Sequence, residues 1–235
     1  MNAAITESDR KDARVLTIGE LINQEVAQYA ALAVFRALDS DQIPIDRFPV
    51  FFREQAMATR TFQDFIWAST DMPHDHPLAS FAKSHRRVDS GHYKWAEHDL
   101  KAMGMPAMTI DDFFSLEALP TRIQLARILA IFYDATPEVR MVVLACLEAA
   151  GGVTLGALHG YAERHGLVKS LHYLGDAHMR VEARQLIAIE NVIEEVLASK
   201  DEGLARIVRT TFDALTRMFE EGSARLWQLQ PGEVR

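Results

Sequence analysis

Residues 84–95, SHRRVDSGHYKW, place His85, Asp89 and His92 at i, i+4 and i+7. On one continuous helix, at about 100° per residue, the three side chains fall within roughly 60° of one another. Two imidazoles and a carboxylate on one stripe suit iron, manganese or zinc, whereas a stripe that only packs is normally apolar. Solvated helix faces carry such triplets too, so this stretch alone leaves a metal site and a polar surface both open.

A second stretch repeats the pattern. HRRVDSGH (85–92) and HMRVEARQ (178–185) both read His-x-Arg-Val-acid-x-x-(His or Gln), which sets His178, Glu182 and Gln185 on a stripe of their own. Two such stripes on two long helices are what a site in the middle of a helical bundle needs, each helix supplying one half. Glu148 offers a further carboxylate, because it follows MVVLACL in an otherwise apolar segment. Such a carboxylate must be paired, protonated, exposed or bound to a cation.

The remaining histidines read differently. His98 lies about 120° from His92 on the wheel and faces another helix or solvent. Asp99 returns to the His92 stripe, where it either accepts a hydrogen bond from a ligating imidazole or forms a salt bridge. His74 and His76 sit between prolines at the entry to a helix, and His159, His165 and His172 cluster near a helix end, where the helix dipole favours histidine. All five are expected to be structural. Cys146, the single cysteine, sits among apolar residues and reads as a small buried hydrophobe.

The elements that must position these groups are helices. Long segments show the 3.6-residue period, almost none alternate with period two, and proline and glycine cluster at a few breaks. The expected helices are 14–38, 46–70, 76–103, 119–133, 137–165, 170–198 and 201–228, with a short helical turn near 110–117. Residues 1–12 are expected to be a flexible N-terminus ahead of one all-α domain of about seven main helices. Tyr29, Phe48, Phe51, Phe52, Phe62, Phe65 and Trp67 recur at helical spacing and are expected mostly in the core, some of them lining a cavity.

With 235 residues and 49% hydrophobic content, the chain can build a sizeable core. Its formal charge of -8 excludes a phosphate-binding surface as the main function, so no nucleic-acid partner is expected. The polar start MNAAITESDRKDARV lacks the apolar core of a secretory signal, and no stretch reaches about 18 uninterrupted apolar residues. The expectation is a cytoplasmic protein with no membrane partner, a small-molecule substrate and a possible homodimer.

Taken together, these motifs resemble the heme-oxygenase-like helical proteins, the superfamily of TenA and pyrroloquinoline quinone synthase, and within it the non-heme di-iron oxidases and oxygenases. That signature runs acid-x-x-His, then a glutamate on a later helix, then His-x-x-x-acid-x-x-His. Here Asp89 and His92, Glu148, and His178, Glu182 and Gln185 stand in that order. GHYKWAEHDLKAMG and TPEVRMVVLACLEAAGG are similar to the family's flanking text, and the resemblance covers roughly residues 45–195.

The resemblance implies a heme-oxygenase-like bundle and an oxygen-dependent enzyme holding one or two non-heme iron ions, with manganese as another candidate. The implied ligands are His85, Asp89, His92, Glu148, His178, Glu182 and Gln185. Three positions depart from the pattern: Asp89 stands where glutamate is more usual, His85 where many members have a ligand glutamate, and Gln185 where the last histidine belongs. An amide oxygen is a poor transition-metal ligand beside imidazole, which puts one of the two metal positions in question.

Two other functions stay open. A cofactorless enzyme similar to pyrroloquinoline quinone synthase or the TenA-type enzymes would use His85, His92 and His178 as acid, base or hydrogen-bonding groups. An inactive ligand-binding protein of the same fold would bind no metal at all. Heme is disfavoured, because VLTIGELINQEVAQYAALAVFRAL has no histidine for the proximal position.

Overall fold

Pro137–Arg164 forms one 28-residue helix along the axis of the molecule. Thr136 caps it by accepting the Val139 N–H, and Pro137 takes a first-turn position where no N–H is required. Every residue from Met141 to Glu148 is buried, as befits a helix enclosed on all sides. This helix is long and apolar enough to cross a membrane, but 67% of its apolar window is buried inside the protein, so core packing accounts for its composition.

The computed structural model describes residues 15–228, and all the regular structure among them is helical. In chain order the helices are α1 (Ile18–Ala30), α2 (Ala33–Asp39), α3 (Phe48–Ser69), α4 (Ala79–Asp89), α5 (His92–Ala102), α6 (Ile110–Phe114) and α7 (Leu119–Tyr133). They continue with α8 (Pro137–Arg164), α9 (Asp176–Val192), α10 (Glu194–Leu197) and α11 (Glu202–Gln228), with a 3₁₀ turn at Val168–Ser170. Helix α8 packs against α1, α2, α3, α9 and α11, while α3 also carries α4, α5 and α7. One contiguous apolar cluster runs through the bundle. The expected N-terminal tail, 1–12, lies outside the described residues.

The all-helical architecture stands, but three of the seven expected helices are divided. The first, 14–38, breaks at Ala31–Leu32, although no proline or glycine marks the place. On a straight helix Tyr29 and Phe35 would point about 120° apart. The break lets both face inward, their rings edge-on at 5.1 Å and each against Phe219.

The second, 76–103, breaks at Ser90–Gly91, where Gly91 takes φ 100°, a backbone region that costs other residues about 1–2 kcal/mol. Gln63 of α3 holds this turn, its amide oxygen accepting the Gly91 N–H and its nitrogen donating to the Asp89 carbonyl. The third, 170–198, begins as a helix only at Asp176 and breaks again at Ile193. Tertiary contacts described below hold its first residues in a loop.

The aromatic expectation holds for Tyr29, Phe48, Phe51, Phe52 and Phe65, which are buried, and Phe62 packs against them half-buried. Trp67 departs from it: the residue is 59% exposed, with the Arg86 guanidinium 4.0 Å from its ring centre. A cation over the indole face stabilises the ring outside the core.

One buried cation ties three helices together. Arg140 on α8 donates to the Phe132 carbonyl at 3.2 Å, the Ala68 carbonyl at 3.1 Å and the Asp71 carbonyl, which lie at or just past the C-terminal ends of α7 and α3. A positive charge there satisfies carbonyls that the helices leave free and complements their dipoles. Arg140→Met should therefore destabilise the protein by about 3 kcal/mol, since buried acceptors lose charged donors. Urea unfolding followed by circular dichroism checks it, and a loss below about 1 kcal/mol would show that water replaces the guanidinium.

Candidate metal centre

Helix α4 ends with His85 and Asp89, and the turn at Gly91 returns the chain so that His92 opens α5 beside them. The three are therefore not on one continuous helix as the spacing implied. They meet because the turn bends back, with His92 Nδ1 3.6 Å from Asp89 Oδ1. Trp95, one turn on, stacks on the His92 ring at 4.5 Å. Glu148 enters from α8, and His178, Glu182 and Gln185 from α9, so the seven side chains form one contiguous group.

Six of them form two sets of three donors. In the first, His85 Nε2 lies 3.0 Å from both Asp89 Oδ2 and Glu148 Oε1. In the second, His178 Nε2 lies 2.7 Å from Glu182 Oε1 and 3.3 Å from His92 Nδ1, which is 3.6 Å from Glu182 Oε1. Donors about 2.1 Å from one ion stand about 3.0 Å apart in octahedral and about 3.4 Å apart in tetrahedral coordination. The observed spacings fall around these values.

The proton count also calls for positive charge. His178 Nδ1 is 2.6 Å from the Tyr173 carbonyl, which can only accept, so Nδ1 carries a hydrogen. In a neutral ring Nε2 is then bare and would face a carboxylate oxygen lone pair to lone pair. The contact needs an added proton, on the ring or on Glu182, or a cation. No lysine or arginine among the described residues reaches ion-pair distance of Asp89, Glu148 or Glu182.

Six buried side-chain polar atoms among the described residues lack a hydrogen-bond partner, and four of these belong here: His85 Nδ1, Asp89 Oδ2, His92 Nε2 and Gln185 Oε1. Unpartnered buried polar atoms are rare, and among these four Asp89 Oδ2 is itself a donor of the first triad, while His85 Nδ1 and His92 Nε2 are the ring nitrogens opposite the facing ones. The His85 N–H is aimed at Glu148, which leaves Asp89 Oδ2 close to the ring but without a hydrogen bond. The donor set present fits a divalent transition metal.

The electrostatics agree. Burial lowers the His85 pKa, but the Asp89 and Glu148 carboxylates beside the ring more than reverse this and push it up to about 10. Burial holds Glu148 well above the usual carboxylate range, with His85 offsetting only part. Burial also raises Asp89, yet His85 and Gln185 bring it below its ordinary value. His92 is lowered, by burial first and then by the nearby His178. His178 is raised, since Glu182 and the Tyr173 carbonyl outweigh burial.

Gln185 does not join either set. Its amide nitrogen donates to Asp89 Oδ1, so it orients a carboxylate rather than presenting its oxygen as a ligand. Of the two expectations for Asp99, contact with a ligating imidazole is not met, while an ion pair is present with His98 Nδ1 at 3.3 Å from Asp99 Oδ1. Its buried carboxylate accepts the backbone N–H groups of His172 at 2.6 Å and Leu174 at 2.9 Å, with exposed His98 alongside. This clamp holds loop 171–175, whose Tyr173 carbonyl fixes the His178 ring. Asp99→Asn should cost about 2 kcal/mol of stability, because an amide cannot accept both N–H groups, and should weaken metal retention about 10-fold or more. Thermal melts and elemental analysis of the same variant test both; a destabilised protein with undiminished metal would disconnect the clamp from the site.

A cleft of about 750 Å³, counted out to where it meets solvent, adjoins the donors. Asp89, His92, Glu148 and Glu182 form its polar end, and Phe62, Phe65, Leu125, Leu155, Leu215 and Phe219 are among its apolar walls. Tyr173 also faces it, the Thr59 hydroxyl 3.1 Å from the Tyr173 hydroxyl. Cys146 is buried elsewhere, its thiol pushed up by burial, and does not line the cleft. His159 binds the Leu174 carbonyl, and His76 accepts the Leu78 N–H at the start of α4, both as structural groups.

Tyr173, Gln63 and Trp95 were not singled out from sequence. Only Trp95 had a local signal, its place three residues after His92.

No family model matches the chain, and no curated protein matches it. Solved structures do. A domain of unknown function with a heme oxygenase-like fold from Shewanella denitrificans superposes with a TM-score of 0.68 at 13% identity, covering 99% of this chain and 98% of the other. A TenA homolog from Pseudomonas syringae pv. tomato gives a TM-score of 0.66 at 14% identity, covering 90% of this chain and 91% of its own. Across nearly its whole length, therefore, the chain has the heme-oxygenase-like fold.

Proposed function

We propose that this protein is a non-heme iron enzyme that uses dioxygen to oxidise a small, largely apolar molecule bound in the cleft. One observation carries the reading: two triads of buried and half-buried donors, rich in carboxylates and without a lysine or arginine counterion among the described residues, open onto an apolar cleft. The residues that would hold the ions are His85, Asp89 and Glu148 in one position, and His92, His178 and Glu182 in the other. Bound ferrous iron would supply one-electron and dioxygen chemistry that no side chain provides.

The chain's own residues do the rest. Asp99 and the Tyr173 carbonyl fix the His178 ring, and Gln63 and Gly91 fix the turn between Asp89 and His92. The apolar walls exclude bulk water and orient the substrate towards the polar end. Cys146, the single cysteine, does not line this cleft and supplies no nucleophile to it.

The test is dioxygen uptake. Protein loaded anaerobically with ferrous iron and desalted should consume dioxygen faster than the same amount of free ferrous iron in buffer. Uptake no faster than free iron would overturn the proposal.

A further inference from the structure

The two triads are not equivalent, and the difference is chemical. His85, Asp89 and Glu148 offer one imidazole and two carboxylates, whereas His92, His178 and Glu182 offer two imidazoles and one carboxylate. Carboxylate oxygens suit manganese, imidazoles suit iron, and two histidines with one carboxylate make the three-donor set that holds ferrous iron with positions left open.

A shared carboxylate would blur this distinction. Asp89 is the residue placed to be shared, with Oδ2 3.0 Å from His85 Nε2 and Oδ1 3.6 Å from His92 Nδ1. Gln185 intervenes: its amide N–H occupies Asp89 Oδ1. Asp89 is thereby committed to the first triad through Oδ2, and the second keeps Glu182 as its only carboxylate.

Exposure divides them in the same sense. The His85, Asp89 and Glu148 side chains are at most 7% exposed, while that of Glu182 is 20% exposed and borders the cleft. Both triads border the cleft, the first through Asp89 and Glu148 and the second through His92 and Glu182, and Glu182 is the most exposed of these carboxylates.

We propose that the protein is a mixed-metal site, with manganese(II) held by His85, Asp89 and Glu148 and iron(II) by His92, His178 and Glu182, and with Gln185 as the positioning residue that keeps the two unequal. This rests on reading both triads as metal sites. Iron binds more tightly than manganese at any given set of such donors, so the selectivity is relative: replacing a carboxylate by an imidazole widens iron's advantage. Limiting iron then goes first to the second triad, and abundant manganese fills the first.

The experiment loads the full-length metal-free protein anaerobically with one equivalent of ferrous iron and an excess of manganese(II), followed by desalting, elemental analysis and manganese electron paramagnetic resonance. The expected wild-type content is one iron and one manganese per chain. With manganese in an excess that exceeds iron's advantage at the first triad but not at the second, His178→Ala should lose iron and keep manganese, Glu148→Gln should lose manganese and keep iron, and Gln185→Leu, which frees Asp89 Oδ1, should let the metals mix over both positions and so change the manganese resonance signal. Should either of the first two variants fail to fold, the wild-type ratio and the Gln185→Leu manganese resonance signal still decide. Iron and manganese lost in equal proportion from both ligand variants, or a manganese resonance signal in Gln185→Leu identical to that of the wild type, would overturn the inference and leave the metal reading intact. No retained metal of either kind would overturn both.

Discussion

His178→Ala will strip iron from the second triad while leaving the first able to hold an ion. The imidazole stands 2.7 Å from Glu182 and 3.3 Å from His92, so its removal leaves one imidazole and one carboxylate with nothing to close the set. Losing a partner that merely orients a ligand costs 10–100-fold in metal affinity, so losing the ligand itself should cost about 100-fold or more. The fold should survive at some cost in stability, because Glu182, which loses its partner, is 20% exposed and can be hydrated. Iron per chain after desalting, with circular dichroism on the same sample, reads the effect. Unchanged iron in a folded variant would remove His178 from the ligand set.

The second large effect is on pH. With no ion bound, His85 sits at about 10, so it keeps its proton throughout pH 6–8, and a metal entering the first triad must displace it. Each displaced proton lowers apparent affinity about tenfold per unit of acidification, or about 100-fold from pH 8 to pH 6. Glu148, held high by burial, takes up a further proton as the pH falls and steepens the loss. Competition with a chelator at pH 6, 7 and 8 measures this, and a pH-independent affinity would contradict it. The metal-free protein should show the opposite trend. His85 is raised above its ordinary 6.5, so its stabilisation is complete below that value and is lost as the pH climbs through about 10.

Sequence spacing reached the donors more surely than it reached their arrangement. His85 with Asp89, and His178 with Glu182, are i, i+4 pairs within one helix, and local geometry sufficed for both. His92 was placed on the right stripe for the wrong reason, since Gly91 ends α4 and restarts the chain as α5. A glycine in that position is a legible break, whereas the break at Ala31–Leu32 is written only in the packing of Tyr29, Phe35 and Phe219. Asp99 looked like a partner for an imidazole because the wheel put it near His92. Its imidazole partner is the adjacent His98, and its two backbone partners lie in a loop more than seventy residues away, which no periodicity reports. Gln185 was read as a weak ligand from its residue type, and its role as a donor to Asp89 emerges only when α4 and α9 are seen side by side.

The central claim is that these six donors hold metal. Iron content by elemental analysis, after anaerobic reconstitution with ferrous iron alone and desalting, tests it most directly. Two triads predict close to two irons per chain, retained on the column, whereas a folded protein that emerges free of iron would contradict the account.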